Sequence, residues 1–217
     1  MDENPFDEVA PWWRRRVTVV ILSLLVLAVW WFAFAQSRPS PVWVPGQIVG
    51  PVPAQEKSHR ESWIGPKQSK ITPLAEYQLE ARVLGRRDYS DAGAFLSPMD
   101  LALGWGEMSE EAVINAMKMS QSGRWYHYSW STPKPPIPLR NIIEQSANTH
   151  LVPANDEVAQ IMDQVVKGDR VRLYGVLIAV SRPDGWRWRS SLSRSDSGDG
   201  ACELMWVEKI EILPPSG

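Results

Sequence analysis

A chain of 217 residues, 44% hydrophobic and 22% charged, can hold one folded domain with extensions, and its composition is that of an ordinary globular protein. A net charge of −2 gives no global argument for a nucleic-acid partner, and a single cysteine, Cys202, excludes an internal disulfide. The twelve tryptophans are numerous enough that their positions need an account.

The first element is an apolar run. Val17 to Ala35 carries no charge, and Thr18 and Ser23 are its polar members. At about 1.5 Å of rise per residue, such a run nearly spans a hydrocarbon core of roughly 30 Å. Arg14, Arg15 and Arg16 precede it, and Trp12, Trp13, Trp30 and Trp31 lie near its ends, as expected of positive-inside orientation and aromatic belts. The run predicts a single transmembrane helix over 17–35 and a cytoplasmic tail over 1–16. The chain then reads as a single-pass bacterial inner-membrane protein with everything that follows in the periplasm. The alternative is a cleaved signal peptide, for which Ala33 and Ala35 form an A-x-A site. The long acidic stretch before the run (Asp2, Glu3, Asp7, Glu8) and the length of the run oppose it.

Residues 36–70 are punctuated by Pro39, Pro41, Pro45, Pro51, Pro53 and Pro66 and by Gly46, Gly50 and Gly65, which predicts an extended, semi-rigid spacer. Within it, Trp43, Val44, Ile48 and Val49 are apolar enough to dock on the domain or on a bilayer surface.

Residues 71–213 carry the folded domain. In "AEYQLEARVL", Tyr77, Leu79, Ala81 and Val83 alternate with polar neighbours, the pattern of a half-buried strand. "YSDAGAFLSPMDLALGWG" reads as loop with a short apolar turn. "MSEEAVINAMKMSQSG" reads as a helix capped by Ser109 and stopped at Gly123. "RWYHYSWS" alternates again, and "LRNIIEQSANTH" looks helical through about Ala147. A further helix has Asn155 or Asp156 as its cap and Val158, Ile161, Met162 and Val165 at helical spacing. "DRVRLYGVLIAVS" is a strong strand. "RPDGWRWRSSLSRSDSGDGACELMWVEKIEI" then reads as a long hairpin, with Trp186, Trp188 and Trp206 in the core and Arg187 and Arg189 on the solvated face. The pattern predicts an α+β fold, a transmembrane helix followed by a mixed domain with a C-terminal antiparallel meander. A small barrel of the oligonucleotide/oligosaccharide-binding kind is also compatible, with "KGDRVRLYGVLIAV" as its opening strand.

The segments "LSPMDLALGWGEMS", "QSGRWYHYSW", "SANTHLVPAND" and "RPDGWRWRSSLSRSDSGDGACE" resemble those of a family of bacterial membrane-anchored envelope proteins. The resemblance covers roughly residues 71–212. It implies an envelope location and a single folded unit, and it carries no chemistry.

Ser146, Asn148 and His150 are spaced by two, so on an extended segment they share a face, and a Ser within reach of a His can form a nucleophile–base pair. The same residues have an ordinary use, since Ser and Asn cap helix ends and His150 can bond a backbone carbonyl. No nucleophile elbow or oxyanion loop accompanies them. The three histidines, His59, His127 and His150, are scattered, and no metal-ligand spacing occurs. Asp196, Asp199 and Glu203 sit in a Gly-rich stretch that lacks the layout of a calcium loop and suits a tight turn. No metal and no cofactor is expected.

From Ile71 to the C-terminus, 15 Lys/Arg stand against 19 Asp/Glu, a net of −4, which argues against nucleic acid. Arginines nonetheless gather late in the chain, and Arg170, Arg172, Arg187 and Arg189 are the candidate binding residues. The expectation is a domain that binds another envelope protein, with membrane lipid met through the anchor. An anchored hydrolase using His150 with Ser146 is the alternative. Oligomeric state has no signature in the sequence.

Overall fold

A strand of 19 residues, too long for one partner, organises the domain. The structure, a computed structural model, describes residues 12–35, 38–50, 52–196, 198 and 200–214. The chain divides into two compact units, Met1–Pro39 and Ser40–Gly217. The first holds helix α1 (Trp12–Ala35). The second begins with β1 (Ala54–Lys57), β2 (Trp63–Ile64), the long β3 (Lys70–Asp88) and β4 (Met99–Gly104). An insertion follows, made of α2 (Glu111–Asn115), the hairpin β5 (Met117–Ser122) and β6 (Trp125–Trp130), and α3 (Leu139–Glu144). The chain then returns through β7 (Ser146–Pro153), α4 (Asp156–Gln164), β8 (Arg170–Ser181), β9 (Arg187–Arg189) and β10 (Glu203–Leu213).

The main sheet closes on itself. The order runs β3-β4-β7-β10-β8, and β8 pairs back onto β3 along twelve registered positions, from Lys70↔Ser181 to Arg82↔Arg170. All these pairings are antiparallel except β7 with β10. Closure removes the free edges of five strands. Inside the barrel, Tyr77, Leu79, Ala81 and Val83 of β3 meet Leu101 and Leu103 of β4, Leu173 of β8 and Met205 and Val207 of β10. α4 closes one end with Val158 and Met162, and the Asn155 side chain accepts from Val158 N at 3.0 Å as its cap. A second apolar cluster lies on the outer wall, where Ile71, Val176, Ile178, Val180 and Leu204 are covered by Trp63, Trp186, Trp188 and Trp206. A third packs the insertion against Leu84 and Ala102.

β10 serves both clusters by alternation, and it is bulged between Val207 and Lys209. The extra residue shifts the side-chain phase. Met205 and Val207 enter the barrel while Leu204 and Trp206 face the outer wall, and the shift lets Ile210 join the barrel side. Gly175 of β8 pairs with Val207 at this point, and a Cβ there would collide with the Trp206 carbonyl oxygen. The close backbone approach requires glycine.

Several expectations are corrected. The fold is mostly β, 42% strand and 21% helix around an eight-stranded sheet, and not α+β. The stretches 108–123 and 139–147 keep only short helices, because Met117–Ser122 and Ser146–Pro153 are drawn into strands. In the first of these, a period-2 pattern with Met117, Met119 and Gln121 inward lies beneath the helical one. The C-terminal stretch is neither a long hairpin nor a meander. β9 is three residues long and pairs with β8, and β10 inserts between β7 and β8. "KGDRVRLYGVLIAV" forms the fourth barrel strand; the first is β3.

The transmembrane expectation is also overturned. Among the described residues no helix is long and apolar enough to cross a membrane. The single-pass inner-membrane assignment, with its cytoplasmic tail and periplasmic domain, falls with it. Much of the expected spacer belongs to the domain. Trp43 is buried, donates from Nε1 to Gly168 O at 2.6 Å and lies under the Arg82 guanidinium at 4.3 Å. Val49 is buried and bridges to Gly106, whereas Val44 and Ile48 stay exposed.

Candidate functional site

A cleft of about 500 Å³ opens on the outer wall of the barrel between three loops. Its walls are Asp91–Gly93 from the β3–β4 connection, Arg124 and Trp125 from the β5–β6 turn, and Trp186–Arg189 from the β8–β10 connection. His150 of β7 and Cys202 line its base.

The β5–β6 turn aims Arg124 into this space. Gly123 and Arg124 both have positive φ, 56° and 72°, between the paired Ser122 and Trp125. That is the backbone of a two-residue hairpin turn whose twist matches its strands. Arginine is not a residue that takes this conformation without cost. Its side chain is tied down accordingly. Nε and Nη2 donate to the two Asp91 oxygens at 2.8 and 2.7 Å. Nη1 donates to Ser97 O and to Asp100 Oδ1, both at 2.9 Å. The guanidinium lies 3.8 Å from the Tyr89 ring centroid and 5.4 Å from that of Trp188. Burial works against its charge, but the Asp91 hydrogen bonds and the field of Asp100 outweigh it and hold the group above its usual range. The same hydrogen bonds, resisted by partial burial, hold Asp91 below the usual carboxylate range.

Asp100 is the centre of this network and is fully buried. His150 Nδ1 lies 2.9 Å from its Oδ1, with no hydrogen bond between them. Asn148 donates to Asp100 Oδ2 at 3.4 Å and accepts from Gln121 Nε2 at 2.8 Å. The His150 ring packs on Trp188 at 4.7 Å, and Trp188 meets Trp186 edge-on at 6.0 Å.

The structure separates the three residues expected to work together. All lie on β7, but Ser146 donates to Ile142 O at 2.7 Å. Ser146 and Asn148 line a neighbouring cleft of about 340 Å³, and His150 faces the larger one, with Trp125, Gly198 and Cys202 shared between the two. Four residues of strand put Ser146 about 13 Å from His150, too far for proton transfer between them. Cys202 does not replace Ser146 as a nucleophile. Burial, aided by the negative field of Glu203, pushes its thiol up to about 12. No group of metal-ligating residues occurs among the described residues.

The four candidate binding arginines also divide. Arg170 and Arg172 share the Glu80 carboxylate, and Arg172 reaches Glu211 at 3.6 Å. Arg187 and Arg189 pair with Ser181 and Ala179 at the far end of β8, about 30 Å along the strand. Both are exposed, and neither has an acidic partner among the described residues.

Asp100, Asp91 and Arg124 were not expected from the sequence. Two signals point to them. An aspartate inside the apolar run "PMDLALGW" must be buried with a partner, and "SGRW" between two alternating segments is a hairpin turn. No protein-family model, no curated protein and no solved structure matches this chain.

Proposed function

We propose that this domain is a binding module, and that its larger cleft receives an acidic segment of a partner protein. The observation that carries this reading is the pair Arg187 and Arg189. They are exposed and, among the described residues, without acidic partners at the rim of a cleft walled by Trp186 and Trp188. Tryptophan and arginine together are the residues that dominate protein-binding hot spots. Arg60, Arg82, Arg124, Arg172 and Arg182 have carboxylate partners, whereas Arg187 and Arg189 lie beside the cleft with none among the described residues. The domain's net negative charge, 15 Lys/Arg against 19 Asp/Glu from residue 71 onward, favours a local acidic contact over a polyanion. Catalysis by Ser146 with His150 finds no support in a geometry that keeps them apart.

The test is a fluorescently labelled hexapeptide, acetyl-Glu-Val-Glu-Val-Glu-Val-amide, titrated into the full chain. Arg187→Glu with Arg189→Glu should weaken binding at least about tenfold and leave melting within a few degrees, and added salt should weaken the wild type toward the variant. Equal binding by variant and wild type at low salt overturns the proposal. So does a single-stranded oligonucleotide that binds more tightly than the peptide at the same salt.

A further inference from the structure

We infer that the acidic segment enters as a β-strand added antiparallel to the open edge of β9. This rests on the binding reading just given and specifies how the partner is held. The register decides which backbone groups are available. Ser190 N donates to Ile178 O and Arg182 N donates to Trp186 O, both at 2.9 Å. Hydrogen-bonded pairs in an antiparallel ladder recur every second residue. Trp188, paired with Val180, therefore exchanges its bonds with β8. The N–H and C=O groups of Arg187 and Arg189 turn away from β8. No described residue bonds them. β9 is the last strand of the sheet order, and the cleft lies along it.

The side chains determine what can add there. Trp188 packs into the outer-wall cluster, so Arg187 and Arg189 take the opposite face. A second copy of β9 would set arginine against arginine, which disfavours self-pairing. An incoming strand with acidic residues at alternate positions sets a carboxylate across from each arginine and apolar residues on the tryptophan side. Backbone bonds then supply affinity and the alternation supplies selectivity, as in other strand-addition complexes. β1, at the other end of the sheet order, carries Glu56 and Lys57 as neighbours and presents no comparable run of one sign.

The experiment uses the same hexapeptide and two analogues, one N-methylated at every Glu and one at every Val. In antiparallel addition the residues opposite Arg187 and Arg189 are glutamates, and their N–H groups point at β9. The Glu-methylated analogue should bind at least about tenfold more weakly, and the Val-methylated analogue should stay within about threefold. On the protein side, Arg189→Pro should bind at least about tenfold more weakly than Arg189→Ala, since both lose the charge and only proline loses the outward N–H. A peptide that binds equally well with either set of methyl groups overturns strand addition and leaves the cleft reading intact. A parent peptide that does not bind at all removes both.

Discussion

Arg124 Nη1 lies 2.9 Å from Asp100 Oδ1, joining a guanidinium at the wall of the cleft to a carboxylate with no solvent exposure. A buried charge that loses its partner costs far more than the pair contributes. Arg124→Ala should therefore destabilise the domain by about 3–5 kcal/mol in urea unfolding. Asp100→Asn, which keeps a side chain able to bond Arg124 and Asn148, should cost less. A loss under about 1 kcal/mol for Arg124→Ala would mean that Asp100 is held by His150 and Asn148 alone.

Glu203 should make stability depend on pH. Burial pushes its carboxyl from an ordinary 4.5 up to about 8, against the opposing charge of Arg194. Arg194 is 3.7 Å away and spends its Nη1 hydrogen bond on Tyr77 Oη at 2.7 Å. The unfolded chain releases this proton near pH 4.5, and the folded chain keeps it until about pH 8. The native state thus binds more protons across that window, so stability falls as pH rises through it and levels off above. Glu203→Gln should flatten this limb and melt higher than the wild type at pH 8. A wild-type melting temperature as independent of pH as the variant's would show Glu203 ionised throughout.

Gly175→Ala should be among the most damaging small substitutions in the barrel. The added methyl meets backbone at the β10 bulge, and no flexible side chain is there to yield. A cost of about 1–3 kcal/mol or more is expected in chemical denaturation. A neutral outcome would mean that the bulge can relax or move.

Trp43 tests whether the proline-rich stretch is structural. Trp43→Phe loses the Gly168 hydrogen bond and should cost about 1 kcal/mol. Trp43→Ala also removes a buried ring beneath Arg82 and should cost about 3–5 kcal/mol. Wild-type melting of both variants would return residues 40–50 to the role of a spacer.

The sequence by itself determined those features that depend on neighbours along the chain. The alternation of Tyr77, Leu79, Ala81 and Val83 marked the barrel face of β3, the apolar run of β8 marked a strand, and Asn155 marked a helix start, because burial of one face and capping of one end are local demands. The tertiary structure alone decided pairing and phase. Nothing within β10 announces that Glu208 is bulged out, yet that one residue reverses which of its side chains enter the barrel. The Met117–Ser122 and Ser146–Pro153 segments became strands because partners elsewhere in the chain offered them hydrogen bonds and cover, outweighing local helical spacing. The site followed the same rule. Asp91, Asp100, Arg124 and His150 come from four separate segments, and only the β4–β7 pairing and the packing of the β5–β6 insertion and the β3–β4 loop on it bring them together. Arg170 and Arg187 look alike in the sequence, and only the register along β8 separates a neutralised ion pair from a free cation at the cleft.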